Sequence, residues 1–159
     1  WVTPDGQHGL IASLDDLDDG SGVAWSNVTS SAVGSGARSM TDGASNTTAI
    51  ISQSGHTSSA AKLCIDYTGG GYTDWYLPSN RELYILTSQD LIIDYILDND
   101  GDANTNGFSQ EYTSTAAQGK YWSSTEVNST SVWGYYFGQS WYNNYGKTVT
   151  NSVRAIRAF

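Results

Sequence analysis

Two histidines, one cysteine and a run of alternating carboxylates are the residues whose types could support catalysis or hold a metal. His8 and His56 each adjoin a glycine and lie far apart in the chain. Neither belongs to a His-Glu-x-x-His, a Gly-x-Ser-x-Gly or a phosphate-cradling glycine pattern, so both read as surface residues. Cys64 falls among Ala61, Leu63 and Ile65 in a stretch of helical character, where a thiol is expected to be buried and inert. No catalytic residue is assigned on this reading, and the chain is expected not to be an enzyme.

The acidic run from Asp94 to Asp102 carries hard oxygen ligands, with Asp98, Asp100 and Asp102 alternating and Asn104, Asn106 and Gly107 following. Counted from Asp102, the first half of a calcium-loop pattern is met at positions one, three, five and six. The twelfth position is Thr113, where that pattern needs a bidentate Glu, so the segment is not an EF-hand. Asp98, Asp100, Asp102 and Asn104 form the candidate metal set, calcium being the ion they suit; the alternative is a solvated turn. No other cofactor is required.

The most distinctive chemistry is that of recognition. From Tyr121 to Tyr145 nine aromatic residues occur in 25 positions, interleaved with Ser, Asn and Gly. A buried phenol or indole needs a hydrogen-bond partner, so a stretch this rich is expected to turn some rings to solvent or to a ligand. Tyr and Trp give rigid contact area at small entropic cost, and Asn, Ser and Gly give adaptable hydrogen bonds, the mixture found in antibody paratopes. The candidate contact positions are Asn128, Ser129, Ser131, Tyr136, Gly138, Ser140, Trp141, Tyr142, Asn143, Asn144 and Tyr145, with the aromatic rings as anchors. A protein ligand is expected ahead of a glycan, since no Glu-Pro-Asn triplet of the calcium-dependent lectin kind occurs.

The elements that must carry these residues are short. Pro4-Asp5-Gly6 reads as a turn between strands at Trp1 to Thr3 and Gly9 to Ser13. Residues 15–43 read as a long loop around one short strand, Val23-Ala24-Trp25. Residues 44–67 carry two short helices interrupted near Gly55. Ser79 and Glu82 form a capping box that starts a helix over about Asn80 to Gln89. Leu91 to Leu97 fits a helical turn or a buried strand equally well. Trp133, Tyr135 and Phe137 alternate with Gly134, Tyr136 and Gly138, and the first set is expected to be core. Tyr142 to Lys147 reads as a hairpin connection or loop, and Val153 to Phe159 as a final strand.

With 159 residues the chain is the size of one domain, 1–159, and can bury a core unaided; its single cysteine forms no internal disulfide. The net charge of −9, from 16 acidic against 7 basic residues with no basic cluster, argues against nucleic acid as a partner. No apolar run approaches the roughly 20 residues of a membrane span, and membrane insertion is not expected.

Several blocks in order carry a family resemblance: Gly6-Gln7-His8-Gly9-Leu10-Ile11-Ala12, Trp25-Ser26-Asn27, Ala44-Ser45-Asn46-Thr47, Ala60-Ala61-Lys62-Leu63-Cys64, Asp74-Trp75-Tyr76-Leu77-Pro78-Ser79, Tyr121-Trp122-Ser123-Ser124-Thr125-Glu126 and Val153-Arg154-Ala155-Ile156-Arg157-Ala158-Phe159. Together they resemble the domain that ends Legionella collagen-like adhesins. That domain is grouped with formylglycine-generating enzymes and with the variable proteins of diversity-generating retroelements. The resemblance implies an α+β, C-type lectin fold with two helices flanking small antiparallel sheets, paired N- and C-terminal strands and long irregular loops. It implies that Trp75, Leu77, Trp122 and Phe159 are core, and that Arg154 and Arg157 hold the terminal strand. The cysteine pair of the formylglycine-generating relatives is missing, so their activity is not carried over.

On that resemblance the chain is expected to be a surface-displayed, ligand-binding variable protein, its diversified region at about residues 128–152. The rival is an invariant adhesin or carbohydrate-binding module of the Legionella collagen-like type, whose sulfated glycans the acidic balance disfavours.

Overall fold

The computed structural model describes residues 1–102, 105, 107–108, 119–137 and 141–159. In chain order its elements are β1 (Leu10–Ala12), β2 (Val23–Ala24), α1 (Gly43–Ile51), α2 (Ala60–Asp66), α3 (Asn80–Thr87), α4 (Asp90–Leu97), β3 (Lys120–Glu126), β4 (Ser131–Tyr136), β5 (Trp141–Gly146), β6 (Thr150–Asn151) and β7 (Ile156–Ala158). The architecture is the expected α+β, with four α-helices among the described residues and small antiparallel sheets.

Side-chain caps start the first three helices. The Asp42 carboxylate accepts the Ser45 amide at 2.9 Å and caps α1, and the Ser59 hydroxyl accepts the Lys62 amide at 2.9 Å and caps α2. Gly55, at φ +82°, lies between them, so the expected break into two helices is present. The capping box of α3 is complete: the Ser79 hydroxyl accepts the Glu82 amide at 3.4 Å, and Glu82 Oε2 accepts the Ser79 amide at 2.8 Å. Glu82 Oε2 also accepts the Gly43 amide at 2.9 Å, which locks the starts of α1 and α3 together. A Cβ at Gly43 would lie 2.6 Å from Glu82 Oε2, Leu77 O and Ser79 N, so only glycine permits this approach. The segment that periodicity left open is the helix α4.

Pairing across the chain ends closes the molecule. The Pro4-Asp5-Gly6 turn returns the Thr3 amide to His8 O at 2.7 Å, and Val2 bridges Gly9. Next, β1 pairs antiparallel with β7, Leu10 opposite Ala158 and Ala12 opposite Ile156. The short strand β2 pairs with β6, and β3, β4 and β5 form a three-stranded sheet in that order.

This three-stranded sheet is covered on both faces. Trp122, Val132 and Tyr145 pack into a core with Trp25, Ile50, Cys64 and Leu77, whereas Tyr121, Tyr135 and Phe137 pack into another with Leu83, Phe108 and Ile156. The expected assignment of Trp133, Tyr135 and Phe137 as the buried set holds for Phe137 and is corrected for the other two: Val132, Gly134 and Tyr136 are buried, while Trp133 and Tyr135 are half-buried. Alternation marks the two faces but does not say which is more deeply covered. Trp75, Leu77 and Trp122 are core as expected, but Phe159 is 45% exposed and is not. The buried indoles are satisfied: Trp25 Nε1 donates to Ser123 O at 2.9 Å and Trp122 Nε1 to Val23 O at 2.7 Å.

A buried ion pair ties the loop after β2 to the sheet. Lys147 Nζ lies 2.7 Å from Glu126 Oε1, donates to Ser31 O at 3.0 Å and sits 4.9 Å from the centroid of the Trp25 ring. Glu126 also accepts the amides of Val33 and Gly34, at 2.8 and 2.9 Å, so both buried charges are met by hydrogen bonds out of water. At the C-terminal end, Arg154 donates to Ser13 O and Gly107 O and lies 2.8 Å from Asp16 Oδ1. Arg157 forks onto the Asp74 carboxylate at 2.7 and 2.8 Å, its guanidinium 3.8 Å from the centroid of the Tyr72 ring. Both arginines hold the terminal segment, as the resemblance implied.

Candidate functional site

The candidate contact residues from 141 to 145 lie on β5, an edge strand. The Asn-rich stretch read as a connection is instead a strand of six residues, Trp141 opposite Tyr136 and Gly146 opposite Ser131. Pairing with β4 overrides the turn preference of Asn and Gly. The ladder's phase follows from its ends, where the Lys147 amide donates to Thr130 O at 2.9 Å. Counting back by twos, Tyr145, Asn143 and Trp141 make the hydrogen bonds to β4, and Tyr142 and Asn144 turn their amides and carbonyls outward. Among the described residues the Asn144 amide is met only by its neighbour's Asn143 Oδ1, at 2.8 Å.

Side chains alternate across the sheet. On one face Tyr142 packs against Tyr135, centroids 5.0 Å apart, and reaches Tyr84 of α3 at 6.2 Å. On the other, Tyr145 meets Trp122 edge-on at 6.0 Å. Both phenols are half-buried; burial raises the Tyr142 phenol and pushes the Tyr145 phenol up to about 12, so both stay neutral hydrogen-bonding groups. Trp141 is 53% exposed, and Asn143, on the same face, and Asn144, on the other, are exposed as well.

The structure does not gather the whole candidate set. Tyr136 is only 8% exposed and is corrected from contact residue to core; Lys120 Nζ lies 5.5 Å from its ring centroid. Asn128 stands in the β3–β4 turn, where its Oδ1 accepts the amides of Thr130 and Ser131, both at 2.9 Å. Ser129 and Ser131 are half-buried at that same end. The turn and Trp141 sit at opposite ends of β4, roughly 17 Å apart at the usual strand rise. Gly138 and Ser140 lie outside the described residues.

Of the candidate metal ligands, Asp98 is the C-cap of α4 and exposed, and Asp100 accepts the Asp102 amide at 2.8 Å and the Thr105 hydroxyl at 2.8 Å. Asn104 lies outside the described residues. Among the described residues no group of three or more His, Cys, Asp or Glu is close enough to share a metal ion. Cys64 is fully buried, which holds its thiol protonated. His8 is exposed, and His56 Nε2 lies 2.8 Å from the hydroxyl of Ser59, the α2 cap.

Sequence reasoning missed a recess of about 580 Å³ beside β5, lined by Met40, Thr41, Asn80, Arg81, Tyr84 and Tyr142. The Arg81 guanidinium stands 5.7 Å from the Tyr84 ring centroid. Asn80 Oδ1 is buried without a hydrogen-bond donor among the described residues. The available signal was electrostatic: Arg81 is the one basic residue of α3 and has no acidic residue three or four positions away. The structure also shows an apolar groove of about 420 Å³ between β1 and α4, its rim including Ile11, Leu14, Ile92 and Ile96.

Compared with protein-family models, residues 17–157 match the model described as the Lcl C-terminal domain, a stretch running from before β2 to Arg157 of β7. No curated protein matches the chain.

Proposed function

The chain belongs to the Lcl C-terminal domain family, that of the C-terminal domain of Legionella collagen-like proteins, and from that premise we propose that it is a non-enzymatic binding domain whose partner docks on β5. The observation that carries the reading is the exposure of Trp141, Asn143 and Asn144 on a strand that, among the described residues, is paired along one edge only. An exposed indole beside adaptable amides contributes recognition and little to the fold. The partner is a protein. Of the seven basic residues, Lys147 and Arg154 are buried, and Lys62 and Arg157 are paired with carboxylates, which leaves little for a polyanion to grip.

The finer reading is a C-type lectin scaffold whose β5 side chains are diversified by a retroelement. The features supporting it are the paired N- and C-terminal strands and an Asn, Tyr and Trp surface whose residue types adenine-directed codon changes interconvert. A near-copy of the codons for about residues 128–159, differing only at adenines and adjoining a reverse transcriptase gene, is the expected genomic sign. The family match equally fits an invariant adhesin, and glycan-array binding that weakens with salt would favour that reading over ours.

The test of the binding surface is Trp141→Ala. It should abolish partner binding while the thermal midpoint stays near that of the parent. Retained binding would overturn the assignment. Tyr142→Ala is less informative, since Tyr142 also packs between Tyr135 and Tyr84.

A further inference from the structure

Resting on the reading of β5 as the binding surface, we propose that its outer edge takes an extended peptide segment of the partner as an added strand. A carboxylate side chain of that segment sits in the recess between Arg81, Tyr84 and Tyr142.

The edge is the first argument. Tyr142 and Asn144 direct backbone donors and acceptors away from β4, and among the described residues no strand pairs with them. A row of alternating N–H and C=O groups is matched in spacing and polarity by another extended backbone, which is how strand-addition partners gain affinity. Natural sheets guard such edges with Pro, Lys or inward charges, and β5 carries none of these. Its one guard is Asn143 Oδ1 on the Asn144 amide, a local bond that a side-chain rotation releases.

The recess is the second argument, and it shares Tyr142 with the edge: the backbone of that residue faces the incoming strand and its ring lines the cavity. Arg38, Arg154 and Arg157 each lie beside a carboxylate, of Glu126, Asp16 and Asp74. Arg81 is exposed, and among the described residues no carboxylate comes within ion-pair distance of it. Its planar fork suits a bidentate carboxylate, and the Tyr84 ring holds it in place. Asn80 Oδ1 adds a buried acceptor that needs a donor. A peptide supplies both carboxylate and N–H groups, whereas sulfate or chloride supplies acceptors alone.

The experiment uses the 159-residue chain and an array of synthetic ten-residue peptides with randomised positions, followed by anisotropy titration of the selected peptides. Selected peptides should share an Asp or Glu within an alternating apolar pattern. Arg81→Gln should weaken them about tenfold or more, the loss of one charge-assisted hydrogen bond, with an unchanged thermal midpoint. N-methylation of alternate backbone amides should abolish binding in one phase and spare it in the other. Selection without acidic residues, wild-type affinity in Arg81→Gln, tolerance of both methylation phases, or dimerisation of the chain through β5 in place of peptide binding would each overturn the proposal. If those results come while Trp141→Ala still abolishes partner binding, strand addition fails and the binding-surface reading stands. If Trp141→Ala also binds normally, the binding-surface reading fails too.

Discussion

β5 and the segment from Val153 to Arg157 are separated by only a few residues, yet they are held in opposite ways. The later segment is gripped from distant parts of the chain: the Val153 amide by Asp18, the Ala155 amide by the Ser13 hydroxyl, Ile156 by both backbone groups of Tyr76, and Arg157 by Asp74. The exposed side chains of β5 make no such long-range bond among the described residues; the backbone of that strand is held by β4 alone. The contrast shows where this molecule keeps its stability. Contacts remote in sequence close the fold at its C-terminal end, and the neighbouring edge is left free to meet something else.

The hardest way to break the comparison is through the buried charges that anchor the end of β5. Lys147→Ala leaves the buried Glu126 carboxylate with only the longer contact to the half-exposed Arg38, at 3.8 Å, and truncating one partner of such a buried pair costs about 3–5 kcal/mol. Urea unfolding should show that loss, and a change below about 1 kcal/mol would mean the pair is dispensable.

Next in size is a pH effect from the terminal brace. Burial pushes the Asp16 carboxyl up to about 6, against the pull of Arg154 and the Tyr121 hydroxyl, from 3.8 in the unfolded chain. Between those values the folded chain binds more protons, so the contribution of Asp16 is fully present below about pH 4 and is lost as pH rises through 6. The stability difference between the parent and Asp16→Asn should therefore shrink over that window, by at most about 3 kcal/mol. A difference that stays flat from pH 4 to about 6.5 would contradict this account of the brace.

Asn128 gives the smallest effect and sharpens the line between the two kinds of residue. Because its carboxamide caps the β3–β4 turn, Asn128→Ala should cost about 1 kcal/mol of stability and leave partner binding intact. Loss of binding without loss of stability would return it to the contact surface.

What could be read from the sequence was mostly local. The Ser79–Glu82 box, the Pro4-Asp5-Gly6 turn and the break at Gly55 depend on residues a few positions apart and appear as expected. The roles of Arg154 and Arg157 came from the family resemblance, since nothing near them in the chain names Ser13, Asp16 or Asp74 as partners. Sequence reading failed where tertiary contacts decide. Alternation in β4 does not reveal that both faces of its sheet are covered, so it does not mark Tyr136 as buried. Asn143, Asn144 and Gly146 favour turns in isolation, and only pairing with β4 makes them the strand β5. The recess around Arg81 draws on positions from 40 to 142, a distance no short motif spans.

The account stands or falls on whether β5 can change its exposed residues without harm to the fold. Thermal unfolding of the triple variant Trp141→Ser, Asn143→Ser, Asn144→Ser measures this directly. A single cooperative transition within about 4 °C of the parent, the shift expected for about 1 kcal/mol in a chain of this size, is the predicted result. A much lower midpoint or the loss of cooperativity would show that these side chains hold the sheet together and are not a surface kept for a partner.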